Sequence, residues 1–362
     1  MIRPTLRLTA TPIAALIAAA GLLLPAFAQS QQARIPVKVV VVAMYEVGAA
    51  RGDAPGELQF WVERLALDTE MAFPAGESSL YLNDDGVLAF VTGGGIPNAT
   101  ASVMALGLDP RFDLSRAYWL VAGVAGGDPA DLSLGSAAWA RHVVDGDLAY
   151  EIDGREIPAD WPYGLFPLGT KEPVSNPADL YSGWTLDTIA FDLEEQLVDW
   201  AFSITANVEL ADTPGLAAYR ERYAGYPEAQ RPPFVTVGDT LSSSTYWHGA
   251  LLNRWANDWL HVYAGRDANF MTSNMEDSGT LTALHRLDRI GRIDVRRVLV
   301  LRTVSNFTMQ PPGRTAVWSK TTPYPDAGRP ALESAFVVGN TVVQALLAGW
   351  SDYEDQMPAK KQ

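Results

Sequence analysis

The segment "PVKVVVVAM" at residues 36–44 contains four consecutive valines. β-Branched residues favour strands, and a strand that is apolar at every position must be covered on both faces, as in a parallel sheet flanked by helices. Similar apolar runs, "VLAFVTG", "AYWLVAG" and "RRVLVLRTVS", alternate with segments of helical spacing such as "GELQFWVERLAL". The sequence therefore predicts an α/β fold with a largely parallel central sheet.

The first 28 residues have the pattern of a secretory signal. Arg3 and Arg7 precede an apolar stretch at 13–24, and "AFA" follows before Gln29. The stretch is short for a membrane span, so we expect cleavage and a periplasmic or extracellular location; a retained membrane anchor is the alternative. We find no second membrane segment. The chain has no cysteine, which excludes disulfides and thiolate chemistry, and its formal charge of −15 argues against a nucleic-acid partner.

Glycines follow two of the predicted strands, at the sheet edge where α/β proteins bind ligands. "TGGGIPNAT" contains Gly94 and Gly95, whose backbone N–H groups could hold an anion above a helix that Asn98 caps. The same run also fits a tight turn. Gly126 lies in a second such turn, "AGVAGG".

Two acids, Glu276 and Asp277, begin an apolar helix in "NFMTSNMEDSGT". Ser273 and Glu276 have the spacing of a capping box. Alternatively, Glu276 presents its two carboxylate oxygens to a pair of ligand hydroxyls. The sequence leaves both readings open.

Other candidates also have two interpretations. Tyr246 and Trp247 could stack on a heterocycle, whereas His248 on the same aromatic helix is as readily a packed residue. Glu46, just after the first long strand, is either a solvated loop acid or a catalytic carboxylate. The four histidines lack metal-ligand spacing, so we expect no metal site, and no phosphate-loop, dinucleotide or GxSxG motif is present.

The blocks "VKVVVVAMYEVGA", "GSAAWARHVVDGDLAYEIDGRE", "TYWHGALLNRWANDW", "NFMTSNMEDSGT" and "DRIGRIDVRRVLVLRTVSNFTM" resemble the purine nucleoside permease family over essentially the whole chain after residue 28. That family in turn resembles the nucleoside phosphorylase and nucleosidase superfold. The resemblance implies one domain at 35–350, with three α/β/α layers around a twisted mixed, largely parallel sheet. It also implies a possible homo-oligomer by analogy.

The resemblance assigns roles to residues at the sheet edge. Met275 would pack under a ribose and Glu276 would accept its 2′- and 3′-hydroxyls. Asn306 stands where many members of the superfold carry an Asp, and Glu46 where nucleosidases place a carboxylate that activates water. We therefore predict Glu46 and Asn306 as catalytic residues and, as the substrate-binding set, Gly94, Gly95, Gly126, Tyr246, Trp247, His248, Asn274, Met275 and Glu276.

The departures from the superfold indicate the reaction. An amide at 306 cannot donate a proton as an acid does, but it gives and accepts hydrogen bonds, which favours inosine or guanosine over adenosine. Phosphorylases bind phosphate with Arg and Ser where this chain has Val121 and Val124. We therefore expect hydrolysis of the N-glycosidic bond without a cofactor, with phosphate as a possible co-substrate. The alternative is a non-catalytic capture protein that serves nucleoside uptake.

Overall fold

The computed structural model describes residues 33–180 and 186–360. The predicted signal segment at 1–28 lies outside the described residues, so its cleavage and the exported location stay predictions. Within the described part, residues from Arg34 onward form one compact unit. Its strands are β1 (Ile35–Pro36), β2 (Val39–Ala43), β3 (Thr69–Met71), β4 (Leu80–Leu82), β5 (Val87–Val91), β6 (Phe112–Asp113), β7 (Tyr118–Gly127), β8 (Ala137–Asp145), β9 (Ala149–Glu151), β10 (Leu165–Pro167), β11 (Ala190–Asp192), β12 (Val235–Ser242), β13 (Phe270–Asn274) and β14 (Val298–Phe307).

Ten helices connect and cover these strands in the described part of the chain. They are α1 (Gln59–Arg64), α2 (Ile96–Leu108), α3 (Glu195–Thr205), α4 (Pro214–Arg220), α5 (Pro227–Gln230), α6 (Ala250–Ala264), α7 (Asp277–Arg289), α8 (Ala316–Thr321), α9 (Arg329–Ala348) and α10 (Trp350–Tyr353). Short 3₁₀ turns occur at Pro177–Asp179, Val295–Arg297 and Pro325–Gly328.

The main sheet has parallel and antiparallel pairs. Its strand order is β11-β8-β12-β13-β7-β2-β5-β4-β3, and β14 pairs with both β7 and β8, so that five of the strands close into a ring. The pairs β2–β5, β2–β7, β7–β14, β8–β12 and β12–β13 are parallel, whereas β7–β13, β8–β14 and the pairs of the edge strands β3, β4 and β11 are antiparallel. The predicted α/β fold with a mixed central sheet is confirmed.

The consecutive valines of β2 are all buried, as the sequence predicts, because helices cover both faces of the sheet. Val39 and Val41 belong to a core formed with α1, α3 and α9. Val40 and Val42 point the other way, into a second core formed with α2 and α7. Alternate side chains of a strand thus fill two separate cores, which produces the three layers.

One helical stretch in the described residues, Pro325–Ala348, is long and apolar enough to cross a membrane by length and composition. More than half of its most apolar window, 56%, is buried inside the protein. Its residues Phe336, Val338 and Val342 pack in the core with β2. The stretch therefore has the position of a core helix.

Candidate functional site

A cavity of about 210 Å³ lies where β2, β7, β13 and β14 end or bend. Most of the chemistry predicted from the sequence meets here. Its lining consists of aromatic, amide, hydroxyl and carboxylate side chains with backbone from β7, namely Met44, Tyr45, Glu57, Val124, Ala125, Gly126, Tyr246, Ser273, Asn274, Met275, Glu276, Ser305, Asn306 and Tyr324.

A larger cavity of about 710 Å³ lies elsewhere, lined by segments between Pro162 and Leu180 and by Arg254 and Asp258. Its wall reaches Leu180, the last described residue before 181–185, and it contains none of the sheet-edge residues. We therefore place the candidate site in the smaller cavity.

Glu276 presents a buried carboxylate to the cavity. Only 7% of the residue is exposed. Its Oε1 accepts a hydrogen bond from the N–H of Gly95 (3.1 Å) and its Oε2 accepts one from the N–H of Met275 (3.1 Å). Burial raises the pKa of Glu276, while the nearby Arg302 acts in the opposite direction. Since a carboxylate has about four lone-pair positions, acceptor capacity remains for a ligand.

The start of α7 is capped by Asn274 and not by the predicted capping box. Ser273 lies within β13, and Glu276 makes no side-chain cap hydrogen bond. Instead, the Oδ1 of Asn274 accepts from the N–H groups of Glu276 (3.1 Å) and Asp277 (2.9 Å). The capping-box reading is therefore wrong, and the carboxylate of Glu276 is free to face the cavity.

The glycine turn after β5 supports Glu276. The backbone N–H of Gly95 is used by that carboxylate, and Gly95 has a φ of 88°, which favours glycine. Gly94 is exposed and does not line the cavity. The predicted cap by Asn98 is wrong, because α2 already begins at Ile96 and the Nδ2 of Asn98 donates to the carbonyl of Gly94 (2.8 Å).

Glu57 is a second buried carboxylate of the cavity, and sequence reasoning missed it. The residue is 6% exposed. Its Oε2 accepts from the N–H of Met44 and its Oε1 from the N–H of Val124, both at 2.7 Å. Burial raises the pKa of Glu57 to about 7, although Arg302 and both N–H groups favour the ionised form. A carboxyl group with a pKa near neutrality can exchange protons at physiological pH.

The structure does not bring Glu46 into the cavity. One oxygen of its carboxylate accepts from the N–H groups of Gly56 and Val47, and the other accepts from the N–H groups of Leu58 (2.9 Å) and Gln59 (2.6 Å). It is thus an anion at the start of α1, where N–H groups without helical partners favour negative charge. Of the two glutamates in this segment, Glu57 lines the cavity and Glu46 does not.

Two consecutive residues of β14, Ser305 and Asn306, both line the cavity. The register of β14 against β7 shifts between Val304 and Asn306, so Ser305 is an extra residue in the strand. The Oγ of Ser305 donates to the Oδ1 of Asn306 (3.0 Å), and the Nδ2 of Asn306 donates to the carbonyl of Phe307 (3.1 Å). One N–H of the Asn306 amide is therefore left for a ligand.

Gly126 gives the Asn306 amide its space. A Cβ at Gly126 would lie 3.1 Å from the Nδ2 of Asn306, closer than ordinary van der Waals contact. Gly126 lies in β7, where it pairs with Ser273 of the antiparallel strand β13. A side chain at 126 would therefore crowd the amide, so the glycine allows the backbone of β7 and the Asn306 amide to lie close together.

Aromatic residues form the outer wall of the cavity. The hydroxyl groups of Tyr246 and Tyr324 are 2.5 Å apart, and Tyr246 remains 42% exposed. Trp247 lines a small adjoining cavity and packs against Trp255 and Phe270. Tyr246 thus lies on the wall of the cavity, and Trp247 lies outside it in the adjoining one.

His248 is not part of the lining of this cavity. Within the described residues its two ring nitrogens are buried and have no hydrogen-bond partner. Burial lowers the pKa of His248 to about 4, so the ring is neutral at physiological pH. This environment is that of a packed histidine.

The described residues that line the cavity include no lysine or arginine. Arg51, in the loop after β2, pairs with Asp68 (2.9 Å). Val121 is fully buried, and the backbone N–H of Val124 is used by Glu57. Among the described residues, no group of three or more His, Cys, Asp or Glu side chains is arranged to hold a metal ion.

Comparisons with known proteins place the chain in a family and agree with this fold. The family model described as "Purine nucleoside permease (NUP)" matches residues 36–358. A purine nucleoside permease of Candida albicans is 31% identical over 269 residues, which are 73% of this chain and 64% of the relative. The match thus spans less than two thirds of that protein. A probable purine nucleoside permease of Schizosaccharomyces pombe is 30% identical over 73% of this chain and 77% of its own length.

One solved structure relates the fold to a known architecture. The crystal structure of 5′-methylthioadenosine/S-adenosylhomocysteine nucleosidase from Campylobacter jejuni covers 86% of this chain and 99% of its own, with a TM-score of 0.50 and 14% identity. At that identity the similarity shows the fold alone.

Proposed function

The chain belongs to the purine nucleoside permease family, and from this membership together with the cavity geometry we propose that it binds purine nucleosides and hydrolyses their N-glycosidic bond. One observation carries the proposal: two buried carboxylates, Glu57 and Glu276, line the same small cavity as the amide of Asn306. A ribose requires hydroxyl acceptors, its C1′ requires a nucleophile, and the departing purine requires hydrogen-bond donors.

Each side chain then has one role. Glu276 accepts hydrogen bonds from the 2′- and 3′-hydroxyls, and Met275 packs under the sugar. Tyr246 lies against the purine. The free N–H of Asn306 donates to N7, which stabilises the negative charge of the leaving base. In a 6-oxopurine the O6 beside N7 is also an acceptor and can share this N–H, whereas the 6-amino group of adenosine is a donor and would oppose it, so we propose inosine or guanosine as substrate in preference to adenosine.

Glu57 is the proposed base. In the reaction, the bond between C1′ and N9 breaks and its electron pair remains on the purine. A water oxygen forms the new bond to C1′, and ionised Glu57 takes one proton from that water. The purine gains a proton from solvent, which gives free base and ribose. In the part of the chain that the structure describes, the cavity lining carries two carboxylates and neither lysine nor arginine, and this acidic lining supports water over phosphate as the nucleophile.

The direct test is to incubate the purified chain from Gln29 onward with inosine, guanosine and adenosine, each with and without phosphate. We expect free base and ribose without phosphate, measured by chromatography. Ribose 1-phosphate that forms only with phosphate would instead establish a phosphorylase. Binding by calorimetry without cleavage would leave a capture protein, the alternative that the non-acidic Asn306 favours.

The pH dependence of the reaction gives a second prediction. Because Glu57 must be ionised to act as a base, kcat/KM should fall as the pH decreases through the pKa of about 7. One pH unit below that pKa, we expect a rate about tenfold below the plateau reached at higher pH. Initial rates in buffers of constant ionic strength measure this; a profile that instead falls with rising pH through the same region would assign Glu57 as an acid.

A further inference from the structure

Asp277 is a buried carboxylate that does not line the cavity. It is 0% exposed, and its partner Arg302 is 1% exposed. Its Oδ2 accepts from the Nε of Arg302 at 3.0 Å, and its Oδ1 accepts from the Nη2 of the same guanidinium. This two-point pairing fixes both the position and the plane of the guanidinium.

The remaining side of Arg302 faces the site. Its Nη1 donates to the carbonyl of Val124 (3.2 Å), and its Nη2 lies 3.8 Å from the Oε2 of Glu276. Gly123 lies between Arg302 and Glu57: a Cβ there would be 2.8 Å from the Nη1 of Arg302 and 2.6 Å from the Oε1 of Glu57. The guanidinium is therefore paired with Asp277, lies close to Glu276, and is a neighbour of Glu57 across Gly123.

We infer that Asp277 is a positioning residue of the site, which holds the guanidinium of Arg302 between Glu57 and Glu276 and balances its positive charge. An unbalanced guanidinium at this place would favour the ionised form of Glu57, lower its proton affinity and so weaken it as a base. The carboxylate of Asp277 offsets the charge of the guanidinium to which it is bonded, so the burial of Glu57 dominates the proton affinity of Glu57.

The charged and titratable groups around Glu57 come from several elements. Arg302 reaches it from β14, Glu276 from the turn before α7, and Tyr45 from the segment after β2. Asp277 acts through Arg302. The backbone N–H groups of Met44 and Val124 complete the surroundings. This inference rests on the proposed function, but the titration that tests it does not require turnover.

The test follows the titration of Glu57 directly, by NMR of the full chain labelled with ¹³C at the glutamate side-chain carboxyls. The Glu57→Gln variant assigns the resonance. In the unmodified protein we expect a midpoint of about 7. Asp277→Asn should lower that midpoint by about one pH unit, because Arg302 is no longer balanced. Arg302→Gln should move it upward, because Asp277 is then unbalanced.

Opposite shifts are the signature of charge balance; a purely structural pair would not produce them. No shift in Asp277→Asn, or shifts of the same sign in both variants, would overturn the inference. Glu333→Gln, which removes a partner of the exposed ion pair with Arg64, is the matched control and should leave the midpoint unchanged.

Breaking a buried ion pair can prevent folding, so a double variant completes the experiment. Asp277→Asn with Arg302→Gln removes both charges, and its Glu57 midpoint should lie near that of the unmodified protein. A midpoint as high as in Arg302→Gln alone would mean that Asp277 contributes nothing. If the unmodified chain cleaves no nucleoside, the proposed function fails while the titration still decides the role of Asp277.

Discussion

Replacing Glu57 by Gln should lower nucleoside turnover by about 10²- to 10⁴-fold, the usual contribution of a positioned base. The glutamine retains the size of the side chain but cannot take a proton from water. Nucleoside affinity should change much less, because Glu276 and the aromatic wall are untouched. Steady-state kinetics should show the loss in kcat, and circular dichroism should confirm the fold, since the new amide NH₂ faces a backbone N–H of Met44 or Val124.

Glu46→Gln is the matched control, because Glu46 and Glu57 both lie in the segment that connects β2 and α1. Its carboxylate holds the start of α1, so we expect a loss of about 0.5–2 kcal/mol in the free energy of unfolding. Turnover per folded molecule should remain within a few-fold of the unmodified protein. The reverse outcome, with turnover lost in Glu46→Gln and retained in Glu57→Gln, would restore the role predicted for Glu46.

Glu276→Gln should weaken nucleoside binding by about 10- to 100-fold, because hydrogen bonds to a charged acceptor contribute roughly 1.5–3 kcal/mol. A glutamine offers one oxygen where the carboxylate offers two to the ribose hydroxyls. Calorimetry with inosine, or with guanosine, measures the increase in the dissociation constant.

The ligand supplies the control for this second variant. A 2′,3′-dideoxynucleoside lacks both hydroxyls, so it should bind the unmodified protein and Glu276→Gln with similar, weak affinity. An equal loss for both ligands would mean that Glu276 acts through the structure of the cavity, for example through its contact with Gly95, and does not hold the sugar.

The sequence is sufficient to predict the layers of the fold and several of the residues that line the cavity. The valine run of β2 requires cover on both faces, and in the folded chain both faces of β2 are covered. Glu276 was found because it adjoins a strand and a helix. The sequence does not identify Glu57, because an acid just before an amphipathic helix normally stabilises the positive end of the helix dipole. The burial of Glu57 becomes apparent only from its tertiary contact with Val124, 67 residues along the chain.

The errors at helix starts have a related cause. Ser273 and Asn274 are neighbours, and either type of side chain caps helices. The choice between them depends on which residue leaves β13 last, and that is set by pairing with β7 and β12. In the same way, Glu57 lines the cavity and Glu46 does not, because the loop between them folds back so that the N–H of Glu57 donates to the carbonyl of Tyr45.

The extra residue in β14 has a consequence for how relatives are compared at this site. Side chains of an uninterrupted strand alternate between its two faces, so Ser305 and Asn306 share a cavity only because the strand is one residue too long for its neighbour. Chains without that residue would present a different side chain at the same point in space. Residues equivalent to Asn306 must therefore be matched with a gap at 305, and an ungapped alignment would equate an amide with a residue on the opposite face of the sheet.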